Sequence, residues 1–215
     1  MKKSICYVFQ IACVLLGSSV HAQNFESVKI GNQTWMAENL NVATFRNGDS
    51  IPQARTDEEW KYAAKARKPA WCYYDNNIDY EAKYGKLYNW YAVNDPRGLA
   101  PEGWHVPTHK EWWELTDYLG GWKVSCTKLK NKEGWNDEGN GTNESGFSAL
   151  PGGRRSAYNQ DSYIFKAIGY WGYWWSSTKF TNKYAKARSI HSNGTFQWLD
   201  WNNGEGMSVR CVKDQ

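Results

Sequence analysis

His105 and His109 lie four residues apart, a spacing that on one helix would offer two imidazoles to a single metal ion. Pro107 and a Thr108 cap fall between them, so His105 precedes the first helical turn and a zinc site is not expected. Gly146-Phe147-Ser148-Ala149-Leu150 begins like the elbow that exposes a nucleophilic serine, but Leu150 stands in the place of the second glycine. A strand entering a turn is the simpler reading. The loop from Trp135 to Glu144 is rich in side-chain oxygens, and calcium takes about six to eight of them. An EF-hand register from Asn136 would put Phe147 where a bidentate Glu belongs, so the loop reads as a solvated run of turn formers. No metal and no cofactor is expected, calcium being the one ion these donors would suit.

Carboxylates fare similarly. A glycosidase needs two of them facing each other across about 5 to 9 Å. Asp57, Glu58 and Glu59 fall in a first helical turn, where negative charge meets free amides, and Glu111 serves a second helix start. Asp200 and Glu205 flank the turn Asn202-Asn203-Gly204, and nothing in the sequence sets them opposite one another.

The aromatics remain. The chain of 215 residues holds 14 Trp and 14 Tyr against 7 Phe, with few Leu, Ile and Val, so rings must fill much of the core. Trp112 and Trp113 differ by about 100° around a helix, and Trp174 and Trp175 on a strand point to opposite sides of the sheet, leaving one of each pair needing another role. Trp171, Tyr173, Trp198 and Trp201 are the rings a core least obviously demands. With Asp200 and Asn202 they form the candidate ligand-binding set. Flat rings beside polar side chains suit sugars, which present a face of C–H groups and a rim of hydroxyls. The competing reading is a second core closed beneath long loops.

These residues need elements to position them. Lys2 and Lys3, the apolar run from Ile5 to Leu16, and the small residues ending at Ala22 have the form of an export signal, so residues 1–22 are expected to be removed and 23–215 to form one domain. No transmembrane segment is expected in the remainder. Removing Lys2 and Lys3 leaves 24 basic and 22 acidic residues, and 24 − 22 = +2 argues against nucleic acid as a partner. Cys72, Cys126 and Cys211 remain, enough for at most one internal disulfide.

Val28 to Met36 alternates about Gly31-Asn32 and predicts a hairpin. Thr56 with Glu59 and Thr108 with Glu111 are capping boxes that predict helices near 57–67 and 109–119. Beyond residue 119 no helical periodicity is evident, and Lys123 to Lys132 reads as a solvated face. Strands are expected over 174–178, 184–191, 195–199 and 207–212.

Six strings are more specific. They are Thr34 to Asn41, Tyr84 to Trp90, Gly103 to Thr108 with Glu111-Trp112, Ser145 to Arg154, Trp174 to Thr178, and Ser208 to Val212. In sequence and order they resemble the Fibrobacter succinogenes major paralogous domain, over about Val28 to Asp214. That resemblance implies a secreted or surface protein of Fibrobacter or Bacteroidetes-type bacteria and brings no established activity. The Trp104 to Trp112 and Ser208 to Val212 strings are also similar to the formylglycine-generating enzyme group, which implies a C-type-lectin-like fold. Ala100 stands where a cysteine is common in the family, so a family disulfide through that position is lost. Whether Cys72 or Cys126 pairs with Cys211 instead stays open.

The expectation is therefore an α+β, C-type-lectin-like domain, two helices packed on a small antiparallel sheet with long loops. Its expected role is a secreted or surface module, not an enzyme, that binds extracellular polysaccharide or surface glycan through loop aromatics. A structural surface protein without a small ligand and an extracytoplasmic hydrolase or oxidase are the alternatives.

Overall fold

The computed structural model describes residues 25–158 and 164–215, so the export signal expected over residues 1–22 lies outside the described residues. Gly31 takes a φ of 61°, and the turn this allows joins β1 (Ser27–Ile30) to β2 (Gln33–Met36) as the expected hairpin. Thr56 caps α1 (Asp57–Ala66): its hydroxyl accepts from the Glu59 amide, while the Glu59 carboxylate accepts from the Thr56 amide. Next, β3 (Trp71–Cys72) pairs antiparallel with β4 (Leu87–Tyr88), the short α2 (Glu81–Tyr84) lying between them and α3 (Trp90–Val93) directly after. β5 (Trp104–His105) leads into α4 (His109–Tyr118), where the Thr108–Glu111 box repeats the first cap.

The chain then departs from expectation with a third long helix, α5 (Trp122–Leu129). Gly121 starts it without a side-chain cap, and only Ser125, Cys126 and Leu129 turn inward, so its periodic signal is brief and carried largely by small residues. Nor is the lysine-rich stretch a purely solvated face. Lys130 is buried, and its ammonium donates to the Ser192 carbonyl at 2.8 Å.

In the remainder, β6 (Arg154–Arg155) pairs with β7 (Phe165–Lys166), and β8 (Trp171–Lys179), β9 (Tyr184–His191) and β10 (Phe196–Asn202) form an antiparallel sheet in the order β10-β9-β8. β11 (Val212–Lys213) lies between β2 and β5, completing a sheet of order β1-β2-β11-β5. The strand expected over 207–212 is broken: Met207 bridges Tyr88 and Ser208 bridges Trp174 before β11 begins. The architecture is thus mixed, with small antiparallel sheets and few helices; α5 joins the two expected helices, and among the described residues four small sheets stand where one was expected.

The sheet of β8 and β9 stands between two cores. Tyr173 and Trp175 enter one with Met36, Tyr88, Trp90 and Val209, while Trp174 enters the other with Trp35, Trp112 and Phe147. Both Trp174 and Trp175 are fully enclosed, correcting the expectation that one would be left over: alternation points them apart, but both faces are covered. Trp112 and Trp113 divide as expected, Trp112 buried and Trp113 exposed. Trp35, Trp60, Trp71, Trp90, Trp104 and Trp135 are buried as well. Several of these indoles meet backbone acceptors, Trp60 at Gly204, Trp71 at Ile51, Trp90 at Ser176 and Trp135 at Ala149. That is how a core can hold so many N–H groups.

The six motif strings converge in this interior. Asn39 Oδ1 accepts from Trp174 Nε1 at 2.9 Å and from Arg210 Nη2 at 2.8 Å, while Arg210 also donates to the Phe147 carbonyl and lies over the Phe147 ring. Trp175 Nε1 donates to the Tyr88 carbonyl at 2.8 Å. Cys72, Cys126 and Cys211 are buried and free, so no disulfide joins them. Burial pushes their thiols up, to about 11, 11 and 12, so they act as small apolar groups.

Candidate ligand-binding cleft

Sheet parity divides the six residues singled out from sequence. Trp171, Tyr173 and Trp201 share one face of the β8-β9-β10 sheet, and Trp198, Asp200 and Asn202 share the other. On the first face the rings close on each other: Trp171 stacks on Tyr173 with centroids 5.7 Å apart, Trp201 meets Tyr173 edge-on at 5.8 Å, and the Arg154 guanidinium lies 4.4 Å from the Trp201 ring. Tyr173 is consequently buried and Trp171 and Trp201 are half-buried, which corrects their expected exposure. On the second face the Arg188 guanidinium sits 3.5 Å above the half-buried Trp198 ring, and Lys186 pairs with Asp200 at 3.0 Å. The four rings therefore form no single platform.

The acids are bound up with their neighbours. Glu205 is buried against Arg154, and its second oxygen accepts from the Ala157 amide; burial raises its pKa, with Arg154 opposing. In the loop that could have suited calcium, Asn140 Oδ1 accepts from the Trp135 amide and Asn143 Oδ1 from the Ser148 amide. Among the described residues no cluster of three or more His, Cys, Asp or Glu side chains is placed to hold a metal.

His105 is gripped on both sides, Nε2 by Glu111 at 2.7 Å and Nδ1 by Asp214 at 2.6 Å, tying the chain's last residues to the start of α4. The Glu111 and then the Asp214 hydrogen bond raise the histidine's pKa against burial. Burial would raise Glu111, but hydrogen bonds from His105 and Thr108 outweigh it and bring it to about 2. The raised His105 gives stability that is full below its unfolded value of 6.5 and lost as pH climbs through the folded value. The lowered Glu111 gives stability that is full above 4.5 and lost as pH falls toward about 2. Thermal unfolding across pH should therefore show His105→Gln furthest below the parent between about 4.5 and 6.5, the gap narrowing on both sides. A gap independent of pH would remove the charged clamp.

Two exposed rings, Tyr158 and Tyr184, meet the half-buried Tyr91 at a different place. A cleft of about 670 Å³ opens between the C-terminal half of α1 and the end of the sheet where β9 starts and β10 finishes, lined by Tyr91, Tyr158, Tyr184 and Asn202 together with Lys61, Lys65, Arg67 and Lys183. Its volume is ordinary for a ligand pocket. Tyr184 and Asn202 are direct cross-strand partners, so their side chains stand on the same face. Asn202 Oδ1 accepts from the Gly204 amide at 2.9 Å, which fixes the amide plane. α1 is held against this corner by Trp60, whose Nε1 donates to the Gly204 carbonyl, and by Ala64 beside Gly204. Arg67 ends the helix in the left-handed conformation, φ 55°. Burial raises the Tyr91 phenol, with Tyr158 adding to the shift and Arg67 opposing it, as expected of groups sharing one hollow.

Of the six sequence-predicted residues only Asn202 lines this cleft. Tyr91, Tyr158 and Tyr184 carry no sequence signal that groups them, whereas Lys61 and Lys65 are one turn apart on the helix predicted near 57–67. That spacing was the one legible signal. Fold and cleft together define a mixed α and β domain with a tyrosine-walled basic hollow, and no described helix is long and apolar enough to cross a membrane. A family model, the Fibrobacter succinogenes major domain, matches residues 28–213, and the chain belongs to that family. No curated protein and no solved structure matches it.

Proposed function

We propose that this is an exported or cell-surface glycan-binding module of C-type-lectin-like architecture, acting without catalysis on an extracellular polysaccharide or surface glycan. The observation that carries the reading is the cleft itself: Tyr91, Tyr158 and Tyr184 offer flat rings for the C–H faces of sugar rings, and Asn202 offers an amide for hydroxyls. Glu111 and Glu205 support the non-catalytic part, since Glu111 is engaged by His105 and Thr108 and Glu205 by Arg154 and Ala157. The Trp171, Tyr173 and Trp201 stack braces the opposite face of the same sheet.

A glycan array carrying plant, host and bacterial polysaccharides tests the proposal. The parent protein should bind a subset, and Tyr158→Ala with Tyr184→Ala should weaken that binding about tenfold or more, corresponding to about 1.4 kcal/mol. A flat array, or binding untouched by both changes, would turn the reading toward a structural surface protein.

A further inference from the structure

Lys61, Lys65, Arg67 and Lys183 bring four positive charges to one cleft, and no carboxylate lines it. None of the four has an ion-pair partner among the described residues, whereas Lys86, Arg97, Arg154, Arg155 and Lys186 each have one. Like charges gathered at one hollow raise its local positive potential and favour an anion there. The negative end of the α1 dipole accounts for Lys65 and Arg67 at the helix terminus. It does not account for Lys183, which arrives just before β9 on the far wall.

We propose that the cleft takes an acidic polysaccharide, its carboxylate or sulfate groups seated among these four cations while sugar rings lie against Tyr158 and Tyr184. The inference rests on the glycan-binding reading and narrows it to a substrate class. Arg67 supplies a planar fork that matches either oxyanion in pairs, and the lysines act as point charges around it. Nucleic acid is the weaker fit, because the charge is confined to one hollow of about 670 Å³ in a chain otherwise close to neutral.

The test uses the whole protein in affinity electrophoresis against polygalacturonate, dextran sulfate, neutral dextran and single-stranded DNA, at low and high salt. Lys65→Glu, Arg67→Glu and Lys183→Glu are combined in one variant, since all three side chains are exposed and should leave folding intact, checked by circular dichroism. The expected result is retardation by polygalacturonate or dextran sulfate, weakened at least tenfold in the variant and weakened again by salt. Whichever polymer binds identifies the anion as carboxylate or sulfate. Acidic polymers holding parent and variant alike, or neutral dextran binding as well as either, would overturn the charge inference while leaving glycan binding in place. DNA binding as tightly as the acidic glycans, with the same loss in the variant, would overturn the substrate class. No retardation by any polysaccharide would defeat both the inference and the reading beneath it.

Discussion

Asn39→Ala is expected to lower the free energy of unfolding by about 3 kcal/mol or more in urea titrations. One side-chain oxygen of Asn39 accepts from Trp174 Nε1 and from both Nε and Nη2 of Arg210, while its amide donates to the Tyr84 carbonyl at 2.9 Å. Arg210 is almost wholly enclosed, and burial works against its charge. No carboxylate lies within ion-pair distance of it among the described residues, so removing Asn39 strips the acceptor from Nε and Nη2 and leaves Arg210 only the Met36 and Phe147 carbonyls, both at Nη1. Asn39→Asp keeps an acceptor for both partners and adds a compensating charge, although it loses the donor to Tyr84. It should cost clearly less than the alanine variant. Equal losses would mean that Asn39 matters through packing and not through Arg210.

Gly172→Ala is the second large effect, expected to cost about 3 kcal/mol, the upper end for forcing one methyl into a filled core. A Cβ at Gly172 would lie 2.7 Å from Cζ3 of Trp174 and 2.8 Å from the Leu150 carbonyl oxygen. Trp174 is fully buried between β8 and the Trp112 and Phe147 rings, so the indole has nowhere to retreat. The smaller ring in Trp174→Phe vacates the outer indole atoms. In that background Gly172→Ala should cost less than half as much, and a double-mutant cycle reads the difference. Strict additivity would show that the glycine serves the backbone and not the tryptophan.

Local grammar made much of the fold legible. Gly31-Asn32 between alternating residues wrote the first hairpin, Thr56 with Glu59 and Thr108 with Glu111 wrote two helix starts, and Tyr184 to His191 read directly as a strand. α5 stayed hidden because Gly121 lends no capping side chain and the inward positions are Ser125, Cys126 and Leu129. The fate of Trp174 and Trp175 was equally out of reach. Alternation says that they point apart, and only the tertiary structure says that both sides are covered. The cleft was the least legible feature. Its walls come from α1, α3, the segment after β6 and the ends of β9 and β10, residues 61 to 202, and no local pattern announces that Lys61 and Lys183 face one hollow.

On the proposed function the tryptophans mainly build the domain and the tyrosine-walled basic cleft binds the glycan. Hydrogen exchange by mass spectrometry, with and without a polysaccharide that binds, separates the cleft from the tryptophan surfaces. Protection should appear in peptides covering residues 61–67, 91, 158 and 183–184, with little change around the exposed Trp113 and Trp122. Protection centred on Trp113 and Trp122, or on Trp171 and Trp198, with the cleft peptides unchanged, would place the binding surface on the tryptophans instead.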